Sequence, residues 1–217
     1  MTAATVFITG GTGYIGRNVI PLLVSRGHSV RALVRQGSEH KLPSGCTPII
    51  GNALEKTSFV GFIQPADTFV QLVGVAHPSP VKVNEFRSID LVSGRASIEA
   101  ASEVGVKQFI YVSVAHPAPI LQAYIEVRKE CEELLREKGL NTTILRPWYV
   151  LGEGHRWPLV VLPVYWLLEK IPATKESARR LGLVTLKQML HALLYAVEHP
   201  SEVIRIMEVP QIKQVSW

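Results

Sequence analysis

The chain has 217 residues, of which 47% are hydrophobic and 19% are charged, and its formal net charge is +5. This length and composition indicate one packed globular domain and exclude a disordered or fibrous chain. The basic residues form no long run with interleaved aromatic residues, so we expect no nucleic-acid partner. The chain has two cysteines, no signal-peptide pattern and no unbroken apolar run of about 20 residues. We therefore expect a cytoplasmic protein without a membrane span.

Short β-branched segments alternate with segments of helical periodicity as far as Arg146. Strands are predicted at residues 5–9, 29–34, 47–50, 68–73, 108–113 and 142–146. Helices are predicted at residues 14–25, 86–103 and 118–138. This alternation predicts a three-layer α/β fold, in which a doubly wound parallel sheet lies between two layers of helices.

The pattern changes after Arg146, where prolines, tryptophans and a long apolar stretch appear. A further amphipathic helix is predicted at 185–200 and a final strand at 203–210. Residues 147–217 are too few to build much core of their own. We therefore interpret 1–217 as a single domain in which 147–217 contribute a small C-terminal cap on the substrate side.

A glycine-rich turn, TGGTGYIG at residues 9–16, follows the first predicted strand and opens the first predicted helix. Gly10 permits a tight turn, Gly13 lets the backbone approach a pyrophosphate, and Gly16 lets the helix pack closely on the strand. The amino end of the helix then faces the anion. The turn predicts a dinucleotide site, although a tight turn without a ligand would need the same glycines.

The end of the second predicted strand indicates which dinucleotide is bound. A carboxylate about 20 residues after the glycine turn would hold the ribose 2′-hydroxyl of NAD. Arg35 occupies that place instead, and no carboxylate precedes Glu39. Since a guanidinium can bind a 2′-phosphate through two hydrogen bonds, we expect NADP, with NAD less favoured. The alternative is a surface arginine that contacts only solvent.

The predicted helix at 118–138 carries an arginine on its apolar face. At roughly 100° per residue, Arg128 lies about 40° from Tyr124, and we expect it to be the only charge on that face. A buried guanidinium needs a partner, which is either a carboxylate such as Asp90 or the ribose hydroxyls or phosphate of a ligand. Beside Tyr124 it would favour the phenolate and permit proton transfer to a carbonyl oxygen. Otherwise Tyr124 is a core residue whose hydroxyl is bonded elsewhere.

Two similar loops, VGVAHPSP at 73–80 and VSVAHPAP at 112–119, follow predicted strands. They place His77 and His116 at the carboxyl edge of the sheet, where open α/β sheets bind ligands. A histidine before proline is nevertheless more typical of a turn or of the surface. No pair of histidines or cysteines has the spacing of a metal site, so no metal is expected.

Together, TGGTGYIG, Arg35, YVS at 111–113, Tyr124 and LRPWYVLG at 145–152 resemble the short-chain dehydrogenase/reductase superfamily, and most closely its atypical and extended branches. These branches include epimerase/dehydratase-like enzymes, redox-sensing regulators and the dinucleotide-binding accessory subunit of respiratory complex I. The resemblance covers almost the whole chain. It implies an NAD(P)-binding Rossmann fold.

The resemblance also implies roles for individual residues. Ser113 would polarise a substrate carbonyl, Tyr124 would be the catalytic tyrosine, and Arg128 stands where the family has a lysine that holds the nicotinamide ribose. The other positions would contact the cofactor: Thr12, Tyr14 and Ile15 along the pyrophosphate, Asn52 and Ala53 beside the adenine, Val73 and Gly74 at the adenine ribose, and Pro147 past the nicotinamide.

Two functions agree with these residues. The first is an NADPH-dependent oxidoreductase of a small carbonyl or quinone-like compound, largely apolar if Trp148, Trp157, Tyr165 and Trp166 line its site. The second is a dinucleotide-binding protein without turnover, serving as a redox sensor or as an accessory or assembly subunit. Arginine in place of lysine at position 128 favours the second. The substrate, the reaction direction and the oligomeric state stay open.

Overall fold

The computed structural model describes residues 3–152 and 180–215. Its strands are β1 (Thr5–Thr9), β2 (Ser29–Val34), β3 (Thr47–Ile50), β4 (Thr68–Gln71), β5 (Gln108–Val112), β6 (Thr142–Arg146), β7 (Tyr149–Leu151), β8 (Leu183–Thr185) and β9 (Arg205–Glu208). Its α-helices are α1 (Gly16–Ser25), α2 (Val83–Glu85), α3 (Val92–Val104), α4 (Gln122–Glu137), α5 (Leu186–Glu198) and α6 (Val209–Gln214). A π-helical turn, Phe86–Leu91, joins α2 to α3.

Seven strands form one parallel sheet in the order β3–β2–β1–β4–β5–β6–β9, while β7 and β8 pair separately. The chain order reverses between β1 and β4. At such a switch point, open α/β sheets bind ligands beyond the carboxyl ends of the strands. The predicted doubly wound Rossmann fold is confirmed.

The sheet is buried on both faces because successive residues of each strand point to opposite sides. In β1, Val6 and Ile8 pack in a core with α1 and α5. Phe7 points the other way, into a core with α3 and α4. On that second face the Phe69 ring lies 5.2 Å from Phe7 and 5.1 Å from Phe109. The three layers therefore have two separate cores.

Residues 186–215 complete these layers. Strand β9 pairs with β6, and α5 packs with α1 on one face of the sheet. Helix α5 begins with a capping box, in which Thr185 and Gln188 each accept a hydrogen bond from the other's backbone amide. Residues 186–215 are therefore an integral part of the sheet layers, because the apolar side chains of α5 are buried against one face of the sheet. Most of the expected cap falls on residues 153–179, which lie outside the described residues.

Residues 3–152 and 180–215 contain neither a membrane-spanning helix nor a metal-binding cluster. None of their helices is long and apolar enough to cross a membrane. Their histidine, cysteine, aspartate and glutamate side chains form no group of three or more that could hold a metal ion.

Candidate functional site

A cleft lies at the carboxyl ends of β1 and β4, at the switch point of the sheet. It consists of a cavity of about 400 Å³ towards β2 and β3 and a cavity of about 290 Å³ towards β5 and β6. We call these the β2-side and β5-side cavities. They share Gly10, Gly13, Leu72, Val73 and Gly74, so they are continuous. Their volumes are in the range of small-molecule sites.

The glycine turn forms the common wall of the two cavities. Gly10 has a φ of 79°, which favours glycine. A Cβ atom on Gly16 would lie 2.7 Å from the Cα atom of Gly11 and closer still to the carbonyl oxygen of Gly10, so the start of α1 can approach the turn only without a side chain. A Cβ atom on Gly13 would meet only the carbonyl oxygen of Gly10, at 3.2 Å. The backbone at Gly13 is therefore open to the cleft.

The β2-side cavity collects the predicted residues of the first half of the chain. Thr12, Arg35, Asn52 and Ala53 line it. The side-chain oxygen of Asn52 accepts a hydrogen bond from the backbone amide of Leu54 at 3.1 Å, which shapes the turn after β3. Ser38 and Lys41 also line the cavity, and none of the described residues that line it is acidic. The cavity is therefore cationic at the end of β2.

The β5-side cavity collects the remaining predicted residues. Its walls include Tyr14, Ile15, Gly16, Ser113, Tyr124, Arg128 and Pro147. His77 lines this cavity too, whereas His116 lies behind it, with its Nε2 atom 3.7 Å from a carboxylate oxygen of Glu132. Trp148 contributes to the wall. The other expected pocket aromatics, Trp157, Tyr165 and Trp166, lie outside the described residues.

Arg128 is buried and bound by protein groups. Its Nη2 atom forms an ion pair with Asp90, and its Nη1 atom donates to the carbonyl oxygen of Val112 at 3.0 Å and to the Tyr111 hydroxyl at 3.4 Å. Of the two partners considered from the sequence, the carboxylate of Asp90 is present. Among the described residues, the Nε atom of Arg128 has no hydrogen-bond partner. The guanidinium is therefore fixed mainly by protein groups, through its two Nη atoms.

Tyr124 packs between two side chains. Its ring centroid lies 5.0 Å from the guanidinium carbon of Arg128 and 4.9 Å from the Phe86 ring. Burial raises the pKa of Tyr124 above its usual value, and this effect exceeds the opposing effect of Arg128, while Asp90 raises the pKa further. Arg128 thus lowers the pKa of Tyr124, as expected, but burial outweighs it, and Tyr124 is a phenol at neutral pH, able to give a proton.

Ser113 is bonded to a buried carboxylate. Its hydroxyl donates to Glu132 at 2.6 Å, and Glu132 is also bound by Arg146, whose Nε atom lies 3.0 Å from the same oxygen. Burial alone would raise the pKa of Glu132, but the hydrogen bonds from Arg146 and Ser113 hold it below its usual range. Since a serine hydroxyl has one proton, Ser113 offers the cavity its lone pairs rather than the donor expected for a substrate carbonyl.

Glu132 corrects the interpretation of α4. The sequence led us to expect Arg128 as the only charge on the buried face, but Glu132 is 1% exposed. The signal was present in the helical periodicity, which places Glu132 about 80° from Tyr124, at the edge of the apolar stripe. Its partner Arg146 comes from β6, so their pairing depends on the tertiary fold.

Comparison with known proteins identifies the family. The sequence profile of the NAD(P)H-binding family matches residues 10–158. The chain belongs to this family. This match agrees with the resemblance to the atypical short-chain dehydrogenases/reductases, and the chain has an NAD(P)-binding Rossmann fold.

Relatives of this NAD(P)H-binding protein have diverse names. It is 26% identical to the 4-hydroxy-2-methyl-3-oxo-4-farnesyl-3,4-dihydroquinoline-1-oxide ketoreductase of Stigmatella aurantiaca, over 67% of this chain and 50% of the relative. It is 27% identical to the photosystem II assembly factor Ycf39 of Cyanophora paradoxa, over 65% of this chain and 44% of the relative. The chain spans about half the length of these curated relatives.

The fold is shared with solved structures. The enzyme WbmH of Bordetella bronchiseptica, in complex with NAD⁺, superposes with a TM-score of 0.69 at 20% identity, covering 95% of this chain and 76% of WbmH. At this identity the likeness concerns the fold alone.

The cleft of this NAD(P)H-binding protein fits a nicotinamide dinucleotide on two observations of its own. The open backbone at Gly13 leaves room for a pyrophosphate beside the amino end of α1. At the other end, Arg35 and Lys41 line the β2-side cavity and suit a phosphate group. The sequence did not indicate Ser38 and Lys41 as lining residues. They line the cavity because the turn at Gly37, which has a φ of 78°, directs the chain after β2 back along it.

Proposed function

We propose that this protein is an NADPH-dependent reductase of a small, largely apolar carbonyl or quinone-like compound. The observation that carries the proposal is Tyr124: it lines the same cavity as the glycine turn, and its phenol is protonated at neutral pH. A protonated phenol at that place is the general acid that carbonyl reduction needs.

The cofactor would lie along the whole cleft. The glycine turn with Thr12, Tyr14 and Ile15 would hold the pyrophosphate, and Asn52, Ala53, Val73 and Gly74 the adenosine half. Arg128 and Pro147 would lie at the nicotinamide half.

The preference for NADPH is supported by the charges at the end of β2. Arg35 and Lys41 line the β2-side cavity, and no carboxylate lines it. Two cations favour the added phosphate of NADPH, whereas NAD-specific sites place a carboxylate on the ribose hydroxyls. We expect NADPH to bind at least about tenfold more tightly than NADH in fluorescence titrations, which corresponds to roughly 1.4 kcal/mol. A preference for NADH would refute this assignment.

The chemistry divides between the cofactor and Tyr124. The reduced nicotinamide, when bound, supplies a hydride to the carbonyl carbon. Tyr124 gives its proton to the carbonyl oxygen, so the product is an alcohol and the tyrosinate regains a proton from water. Arg128 packs on the Tyr124 ring and lines the same cavity. Ser113 fixes the wall through Glu132 rather than polarising the carbonyl.

The apolar substrate class is supported by the cavity wall and by the relatives. Val75, Val114, Trp148 and Val150 line the β5-side cavity. The name of the Stigmatella relative describes a ketoreductase of a farnesylated dihydroquinoline oxide, which is an apolar carbonyl compound. Both cysteines are free thiols, which suits the reducing cytoplasm that we propose as the compartment.

Tyr124→Phe tests the enzymatic proposal. In a panel of apolar ketones, aldehydes and quinones followed by NADPH absorbance, we expect the variant to lose at least about 100-fold in carbonyl reduction, the usual contribution of a general acid. Its affinity for NADPH should stay within about twofold of wild type. Tyr195→Phe is the matched control, because Tyr195 stacks on His199 at 4.2 Å and does not line the cleft. Equal rates in wild type and Tyr124→Phe would remove Tyr124 from the mechanism.

A second candidate function is a dinucleotide-binding redox sensor or assembly subunit without turnover. Two observations favour it: Arg128 is already paired with Asp90, and the hydroxyl proton of Ser113 is already given to Glu132. The Cyanophora relative is named as an assembly factor. Tight NADPH binding with no oxidation across the whole panel would support this function over the reductase.

A further inference from the structure

Asp90 is a buried carboxylate next to the cleft. It is fully buried and belongs to the π-helical turn Phe86–Leu91. Such turns are rare and occur frequently at functional sites. The preceding residue, Ile89, lines the β2-side cavity, while the Asp90 carboxylate reaches the Arg128 guanidinium behind the β5-side cavity.

The carboxylate joins two walls of the cleft. One oxygen binds Arg128 of α4, and the other accepts a hydrogen bond from the backbone amide of Val75 at 3.1 Å. Val75 lies in the loop after β4, and its neighbour Gly74 rests directly on the ion pair: a Cβ atom there would be 2.9 Å from Asp90 Oδ1. Asp90 therefore fixes the Gly74 backbone and the Arg128 side chain relative to each other.

Asp90 also opposes the charge of Arg128 at Tyr124. The charged groups nearest the phenol are Arg128 of α4 and Asp90 of the π-helical turn, and they act on its pKa in opposite directions: Arg128 lowers it, and Asp90 raises it by less. The other titratable groups of this region are the neutral phenol of Tyr111 on β5, the neutral thiol of Cys131 on α4, and His77 in the loop after β4. Burial raises the pKa of the Asp90 carboxyl, while Arg128 and the Val75 amide oppose that rise.

We propose that Asp90 is the positioning residue of this site, because it fixes the Arg128 side chain against the loop after β4 and opposes the effect of the Arg128 charge on Tyr124. This inference rests on the proposed reductase function. An uncompensated cation beside Tyr124 would favour the phenolate over the phenol that gives its proton to the carbonyl oxygen. Asp90 weakens this effect from within the protein.

Asp90→Asn is the direct test, because the amide keeps the size of the side chain and removes its charge. With Arg128 uncompensated, the titration of Tyr124 should move down by about one pH unit, the lower end of the effect of a nearby opposite charge. The measurement is the near-ultraviolet absorbance of tyrosinate, taken as the difference between each protein and its Tyr124→Phe counterpart. It needs no turnover. The alkaline limb of NADPH-dependent reduction should move down with it.

The matched control is Glu126→Gln, which removes an exposed carboxylate from the same helix and should leave the titration unchanged. A second variant, Asp90→Leu with Arg128→Met, removes both charges, and buried pairs tolerate this better than the loss of one partner. In it the titration of Tyr124 should return to the wild-type pH or above. If Asp90→Asn does not fold, the double variant carries the test.

The outcomes separate the two proposals. An unchanged or upward titration in Asp90→Asn, or a downward shift in the double variant, would overturn the role of Asp90. A wild-type protein that reduces no carbonyl compound but shows the expected shift in Asp90→Asn would refute the reductase function and retain the charge balance.

Discussion

Gly13 and Gly16 are needed for different reasons, ligand approach and helix packing, and alanine substitutions distinguish the two. In Gly16→Ala, the new methyl would lie 2.7 Å from the Cα and 2.8 Å from the carbonyl carbon of Gly11, and closer still to the Gly10 oxygen. All three atoms are backbone, so the turn and α1 must separate. Overpacking of this kind costs about 1–3 kcal/mol, against a gain of at most about 1 kcal/mol in helix propensity.

Since the methyl meets three backbone atoms, we take the overpacking cost at the upper end of that range, which leaves an expected net loss for Gly16→Ala of about 2 kcal/mol and a fall in Tm of about 4–8 °C for a domain of this size. Gly13→Ala should behave differently, because its methyl meets only one atom, at 3.2 Å. Its Tm should stay within about 3 °C of wild type. The methyl would nevertheless stand between the backbone and the pyrophosphate, so NADPH affinity should fall at least about tenfold.

Thermal unfolding of the apo proteins and fluorescence titration with NADPH measure the two effects separately. Gly13→Ala that binds NADPH as wild type does would show that the pyrophosphate does not cross Gly13. An unchanged Tm in Gly16→Ala would show that the turn can move away from α1 without cost.

Two further predictions concern charged side chains. Arg35→Ala and Lys41→Ala should each weaken NADPH binding about tenfold and NADH binding by less than about twofold. The control is Lys107→Ala, which removes a cation paired with Asp67 and should leave both affinities unchanged. Equal losses for the two cofactors would place the 2′-phosphate elsewhere. Glu132→Gln should lower the free energy of unfolding in urea by about 3 kcal/mol at pH 7, because it leaves Arg146 without its closest partner. Since the folded-state pKa of Glu132 is lowered, its contribution to stability is present above its ordinary pKa and is lost as the pH falls through the acid range. The variant should therefore lose less stability than wild type below about pH 4. Parallel curves of unfolding free energy against pH would contradict this.

The parts of the site that the sequence could predict are those encoded locally. The glycine turn is set by three residues within one turn, and its place between a strand and a helix follows from a change of hydrophobic period from two to 3.6. Once strand order is known, the ends of β1, β4 and β5 must meet at one edge. For this reason Gly10, Ser113 and Tyr124, which are distant along the chain, could be expected in one cleft.

The parts that could not be predicted depend on which charges meet across the fold. Asp90, 38 residues before Arg128, was one of two partners that the sequence offered for the guanidinium, and the choice between them depended on the fold, in which the π-helical turn carries the carboxylate to Arg128. The same holds for Ser113, whose hydroxyl partner became visible only when α4 was placed against β6. A sequence pattern gives the direction of a side chain from its own helix, but its partner belongs to another element.

Arg128 and Glu132, the two buried charges of α4, lie on the same side of the sheet edge as the β5-side cavity. This location helps to explain why charged residues are present there. Arg128 is 4% exposed and Glu132 is 1% exposed, so each has lost nearly all of its contact with water. Buried ion pairs of this kind contribute little net stability, since desolvation offsets their attraction, and apolar side chains of similar volume often serve the fold as well. Stability therefore does not explain the charges. What they do is attach α4 at two points one turn apart, through Asp90 to the loop after β4 and through Arg146 to β6. The helix that carries Tyr124 is thereby held in register with the walls of the cleft, which the proposed proton transfer over a hydrogen-bond distance would require.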